Sequence, residues 1–109
     1  MQPAVTVDLR GSGRVNQPVD TTAVFVVNAI KAHETNKDTT DDAPYDLCIL
    51  LWYSPLEGWC SQVESKVNTA LFAAHVPRSI RFIPSDMYAN RFPTFVVAKV
   101  QITQLSALM

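Results

Sequence analysis

The 109-residue chain is short of several things at once. It has two cysteines, Cys48 and Cys60, too few for a disulfide framework to replace a hydrophobic core. It has no glycine-rich phosphate loop and no Ser-His-Asp pattern. His33 and His75 stand at no metal-ligand spacing to either cysteine, so surface or helix-end roles are expected of them. Charged residues make up 17% of the chain and the net charge is −1, which gives no general attraction to nucleic acid or an anionic membrane. No apolar run approaches the roughly 20 residues of a membrane span. The start, MQPAVTVDLR, lacks a basic stretch followed by an apolar one, and LSALM has no cysteine to lipidate, so neither a signal peptide nor a lipid anchor is expected. Reduced thiols inside a cell are the expectation.

What is present fits one domain over residues 1–109. Hydrophobic residues make up 48% of the chain, an ordinary share for a globular fold. AVTVDLR alternates and reads as a short strand stopped by GSG. VDTTAVFVVNAIKAH is rich in β-branched residues, but its length and its apolar residues at Val24, Val27 and Ile30 favour a helix capped by Asp20 or Thr21. ETNKDTTDDAP reads as a solvated acidic loop; Asp38, Asp41 and Asp42 lack calcium-loop spacing. DLCILLWY is a continuous apolar run of strand length, the pattern of a strand buried on both faces, with Cys48 inside it as a small hydrophobe packed toward a helix. SQVESKVNTALFAAH is the clearest helix, with Val63, Val67, Leu71 and Ala74 on one face and Pro77 at its exit. SIRFIP and TFVVAKVQI follow as strands, the second with a break near Lys99 as an alternative. Arg78, Arg81 and Arg91 read as a solvated basic face, with an anion site the alternative. The order β, α, β, α, β, β implies a small mixed sheet with helices on its faces.

Four pieces in this order resemble the thioredoxin-like superfamily. They are ILLWYSP, the Trp59-Cys60 pair, the helix running to His75, and RFPTFVV over residues 91–97. Together they cover about half of the chain. The resemblance implies a thioredoxin-like fold with its third helix trimmed, because Asp86 to Pro93 is short for the family. It also implies a cis Phe92-Pro93 peptide bond, and a partner surface formed by Trp59, Phe92 and the backbone around Pro93.

The departures shape the expected function. Redox members carry Cys-x-x-Cys at the helix start, whereas this chain has CSQV. If Cys60 is the family's first cysteine, Val63 takes the second place; if it is the second, Glu57 takes the first. SQVE, Ser61 to Glu64, forms a capping box that favours a helix start just after Cys60; SPLE, Ser54 to Glu57, is the other start. Neither alignment leaves a dithiol, and a thiol-disulfide oxidoreductase needs a second thiol to resolve the mixed disulfide. Leu51 stands where the family's redox enzymes keep a buried carboxylate. Cys48 and Cys60 are not expected to bond to each other. The resemblance therefore implies a non-redox protein-binding or structural module, without cofactor. Its partner would be a protein or a larger assembly, such as a multi-subunit complex or a virus particle. The alternative is a monothiol oxidoreductase or thiol-transfer enzyme in which Cys60 acts with glutathione, Arg91 lying near the peptide's place.

Overall fold

The computed structural model describes residues 4–12, 18–37, 42–52, 55–83 and 94–103. The described elements are β1 (Val5–Asp8), a 3-10 turn (Arg10–Ser12), α1 (Val19–Asn36), β2 (Tyr45–Leu51), α2 (Trp59–Ala73), β3 (Arg78–Phe82) and β4 (Thr94–Ile102). They make a small α/β protein with a four-stranded mixed sheet in the order β1-β2-β4-β3. β1 pairs parallel with β2, and β4 runs antiparallel between β2 and β3. β4 is continuous through Lys99.

Strands β1, β2 and β3 all point one way and step in one direction across the sheet. Crossovers of a single hand then place both helices on the same face. α1 packs on β1, α2 on β3, and the helices on each other. Helices on both faces, as the sequence led us to expect, are therefore not what the described residues show. The connection between β3 and β4, where the trimmed helix was expected, lies outside the described residues.

One core sits between the sheet and the helices. Alternate strand residues supply its floor: Val5 and Val7, Leu47, Ile49 and Leu51, Val96, Ala98 and Val100, and Ile80. Ala23, Val26, Val27 and Ile30 of α1 and Trp59, Val63, Val67 and Leu71 of α2 form the roof. Val24 was expected in the buried stripe of α1 and is instead 58% exposed. The stripe runs through Ala23, Val26, Val27 and Ile30, one position round the helix. Ala74 likewise lies outside the core, beyond the last turn of α2.

The start of α2 also differs from the expected one. The helix begins at Trp59, with Gly58 as its N-cap at φ +81°, a conformation glycine adopts without steric cost. The Trp59 N–H donates to the Leu56 carbonyl, so a turn through Glu57 and Gly58 starts the helix, three residues before the Ser61 cap could. Glu64 is then free of the capping box and accepts a hydrogen bond from the Phe82 N–H at 2.9 Å. Asn68 accepts from the Ile80 N–H at 2.8 Å and donates to the Ile80 carbonyl at 3.2 Å. Two side chains of α2 thus satisfy the outer edge of β3, which blunts an edge strand that could otherwise pair with another chain.

At its other end α2 closes in a Schellman motif. Val76 N–H bonds the Leu71 carbonyl and His75 N–H bonds the Phe72 carbonyl, with His75 in the left-handed region at φ 58°. Glycine usually holds that place.

Candidate functional site

Three of the four resembling pieces meet at one end of the sheet. Thr94, the residue after Pro93, pairs with Leu51 at the end of β2, and α2 starts over the same core with Trp59. Phe92, Pro93 and Arg91 lie outside the described residues, as does the cis bond expected at Pro93. Trp59 is 5% exposed and belongs to the core. Its side chain packs in the interior, so any part it takes in a partner surface is through the small fraction left exposed.

The two thiols are free and stand on opposite sides of the sheet. Cys60 is half-buried in the first turn of α2 and packs against the core. Burial pushes its thiol upward, and the Glu64 charge one turn on pushes the same way. The helix N-terminus would favour a thiolate, but the net direction is away from one. Cys48 is buried at 9% exposure, yet it alternates with Leu47 and Ile49 and so points away from the helices. It packs on the opposite face from the one expected, and burial raises its thiol as well.

That opposite face is the surface which the sequence reading missed. Strand alternation puts Cys48 and Leu50 of β2 beside Val97 and Phe95 of β4, as the pairs Cys48–Val97 and Leu50–Phe95. Leu50, Phe95 and Val97 are half-buried, with no described helix over them. Trp52, 40% exposed just beyond β2, extends the stripe. The outer strands bring polar residues to the same face: Thr6 and Asp8 on β1, Ser79 and Arg81 on β3. Two ion pairs border the apolar centre. Asp46 meets Lys99 at 2.7 Å. Asp8 meets Arg10 at 2.7 Å, and the Arg10 guanidinium lies 5.8 Å from the Trp52 ring centre. Hydrogen bonds from the Arg10 side chain, then from its backbone N–H, hold the Asp8 carboxyl down to about 2. The sequence signal was there: LCILL and FVVA are apolar at every step, while AVTVD and SIRF alternate.

A polar cluster occupies the far end of the molecule. Arg78, 3% exposed, donates from Nε to Glu34 at 3.0 Å and from Nη1 to the carbonyls of Asp42 and Ala43. Lys37 and the Tyr45 hydroxyl also donate to Glu34, at 3.1 and 3.0 Å. The Tyr45 ring lies under the guanidinium and against the His33 ring. Burial raises the Glu34 carboxyl, but the hydrogen bonds from Arg78, Lys37 and Tyr45 outweigh it and hold the group below its ordinary value. Burial, then the hydrogen bond to Glu34 and its charge, raises the Tyr45 phenol. Arg78 is therefore neither a solvated cation nor an open anion site; its donors hold the chain entering β2 in place. Arg81 is exposed, as expected.

A groove of about 560 Å³ runs between α1 and α2, lined by Ala23, Val27, Thr69 and Ala70, with the Asp20–Lys66 ion pair at its side. Among the described residues no cluster of three His, Cys, Asp or Glu side chains is placed to hold a metal ion. Asp42 is exposed and lies 3.9 Å from Lys37, while Asp38 and Asp41 lie outside the described residues. Among the described residues no helix is long and apolar enough to cross a membrane.

Comparison with protein-family models, with curated proteins and with solved structures finds no match to this chain.

Proposed function

We propose that this chain is a thioredoxin-like module that binds protein and carries no dithiol chemistry, serving as a minor subunit of a larger assembly. The observation that carries the reading is the sheet face over which no described helix lies. Its two central strands present Cys48, Leu50, Phe95 and Val97 where the outer strands present threonine, serine and charge. An apolar centre inside a polar rim is the anatomy of a protein contact. The sequence pattern supports the thioredoxin-like part, and the Leu51–Thr94 pairing supports it further by bringing two of its pieces together. The thiols support the absence of redox turnover, because the sheet separates them and both are shifted toward the neutral form.

One observation favours the monothiol alternative: Cys60 stands in the first turn of a 15-residue helix and is only half-buried. Parallel assays of binding and thiol chemistry decide. Immobilised chain should retain its partner from cells of origin after Cys60→Ser and lose it after Phe95→Lys or Leu50→Lys. The chain should not turn over a protein disulfide or a glutathione mixed disulfide. Glutathione-dependent turnover abolished by Cys60→Ser would replace this reading with the monothiol enzyme.

A further inference from the structure

We infer that Arg78 and Glu34 form an acid-released latch: protonation of Glu34 frees residues 42–44, the chain entering β2, while the sheet stays folded. The inference stands apart from the reading of the sheet face as a protein contact.

One carboxylate ties several elements together. Glu34 lies in the last turn of α1. Lys37 at the end of that helix, Tyr45 on β2 and Arg78 on β3 all donate to it. His33 borders the group through the Tyr45 ring, at 4.4 Å between centres, and Asp42 lies 3.9 Å from Lys37. Among the described residues these are the titratable and charged groups that α1, β2, β3 and the α1–β2 connection bring around Glu34.

Arg78 is the part that cannot tolerate the loss of that charge. Its side chain is 2% exposed, and among the described residues Glu34 is the carboxylate paired with it. A guanidinium stays charged at any pH where the chain folds. Once Glu34 takes a proton, Arg78 is a buried cation without a counter-charge, which is strongly destabilising. Water can reach it by two routes. Unfolding the sheet would expose the whole core. Lifting residues 42–44 exposes far less, because Asp42, Ala43 and Pro44 are already exposed and put no side chain into the core. The Asp42 and Ala43 carbonyls, 3.0 and 3.1 Å from Arg78 Nη1, then exchange the guanidinium for water. Segments that bury little apolar surface open at much lower free energy than the whole fold, so the local route is taken first.

The sign of the pH dependence follows from Glu34. Burial raises its carboxyl, but the hydrogen bonds from Arg78, Lys37 and Tyr45 outweigh burial and hold it below its ordinary value. The latch is therefore closed above about pH 4.5 and is released as pH falls through the lower folded value.

Nuclear magnetic resonance of the full chain reads the latch at the Arg78 Nε–H. From about pH 6 down to about pH 2 its protection from solvent exchange, corrected for the intrinsic rate, should fall about tenfold or more, while the main-chain amides of β4 keep theirs. Glu34→Gln should show the low protection at neutral pH with the fold intact. Tyr45→Phe keeps the ring and removes one donor to Glu34, so release should move to higher pH. Arg78 protection that persists to about pH 2 overturns the inference. Protection lost together with that of the β4 amides also overturns it, because Glu34 then supports the whole fold. Full Arg78 protection in folded Glu34→Gln at neutral pH does the same. If Glu34→Gln does not fold by circular dichroism, the wild-type titration and Tyr45→Phe decide, and a midpoint unmoved by Tyr45→Phe counts against the latch.

Discussion

The two ends of the molecule hold themselves together by different means. At one end, the close of β2, the first turn of α2 and the start of β4 meet around Trp59, an aromatic side chain sealed in hydrocarbon. At the other, Arg78 is sealed just as tightly, but among Glu34, Tyr45 and two backbone carbonyls. The first end carries the motif residues; the second carries the convergent charges. Perturbed titratable groups cluster at functional sites, but structural ion-pair networks perturb them too. Here the donors of Arg78 are spent on Glu34 and on the carbonyls before β2, so the cluster reads as a fastening of the α1–β2 connection.

The largest effects should come from removing each end's anchor. Trp59→Ala should cost about 3–5 kcal/mol, the range for emptying a buried tryptophan site. Arg78→Ala should cost about 2–3 kcal/mol, less than a fully buried pair would lose, because Lys37 and Tyr45 still reach Glu34. Denaturant titrations separate them by pH. The Trp59→Ala loss should be the same at neutral and acid pH, whereas the Arg78→Ala loss should shrink in acid. A pH-independent Arg78→Ala loss would erase the distinction drawn between the ends.

Glu34 sharpens the contrast further. Its carboxyl lies below the ordinary 4.5 in the folded chain. Its stabilisation is therefore complete above about pH 4.5 and is lost as pH falls through the lower folded value. Glu34→Gln should flatten the acid limb of the stability curve, leaving the share that Asp8 contributes. Titration of the variant from neutral pH down to about pH 2 checks this; an unchanged limb would mean that other carboxylates set the acid response.

A smaller effect, of opposite sign, is expected beside the charged end. His75 holds the left-handed place that closes α2. His75→Gly should stabilise by about 0.5–1 kcal/mol by relieving that conformation, read as a rise in the thermal midpoint. At the Trp59 end the smallest effect concerns rate alone. Cys60 should alkylate more slowly than an unfolded-chain cysteine at neutral pH, and Glu64→Gln should speed it modestly by removing a neighbouring charge. A Cys60 that reacts faster than the unfolded reference would revive the monothiol reading.

Much of the fold was legible because periodicity is a local property. The three-four spacing of Val63, Val67 and Leu71 and the apolar strand runs need no knowledge of the rest of the chain. The two described helices and four described strands fall where those patterns place them. The errors are local as well. Val24 and Val26 are equally hydrophobic neighbours, and only the direction of the sheet decides which one is buried. Ser61 could cap a helix, but a glycine able to take φ +81° caps it three residues earlier.

The candidate site was less legible, because it depends on which groups meet. By itself the sequence determined the elements, their order, the absence of a dithiol and the double-sided apolar character of β2 and β4. Only the tertiary structure decided that the two described helices lie on one face, with Leu50, Phe95 and Val97 on the other. It also decided that Cys48 and Cys60 stand on opposite sides of the sheet, and that Arg78 lies buried against Glu34, 44 residues away. Hydrophobic pattern says which residues seek cover; strand order and crossover direction decide where that cover is, and neither is written in any short stretch of chain.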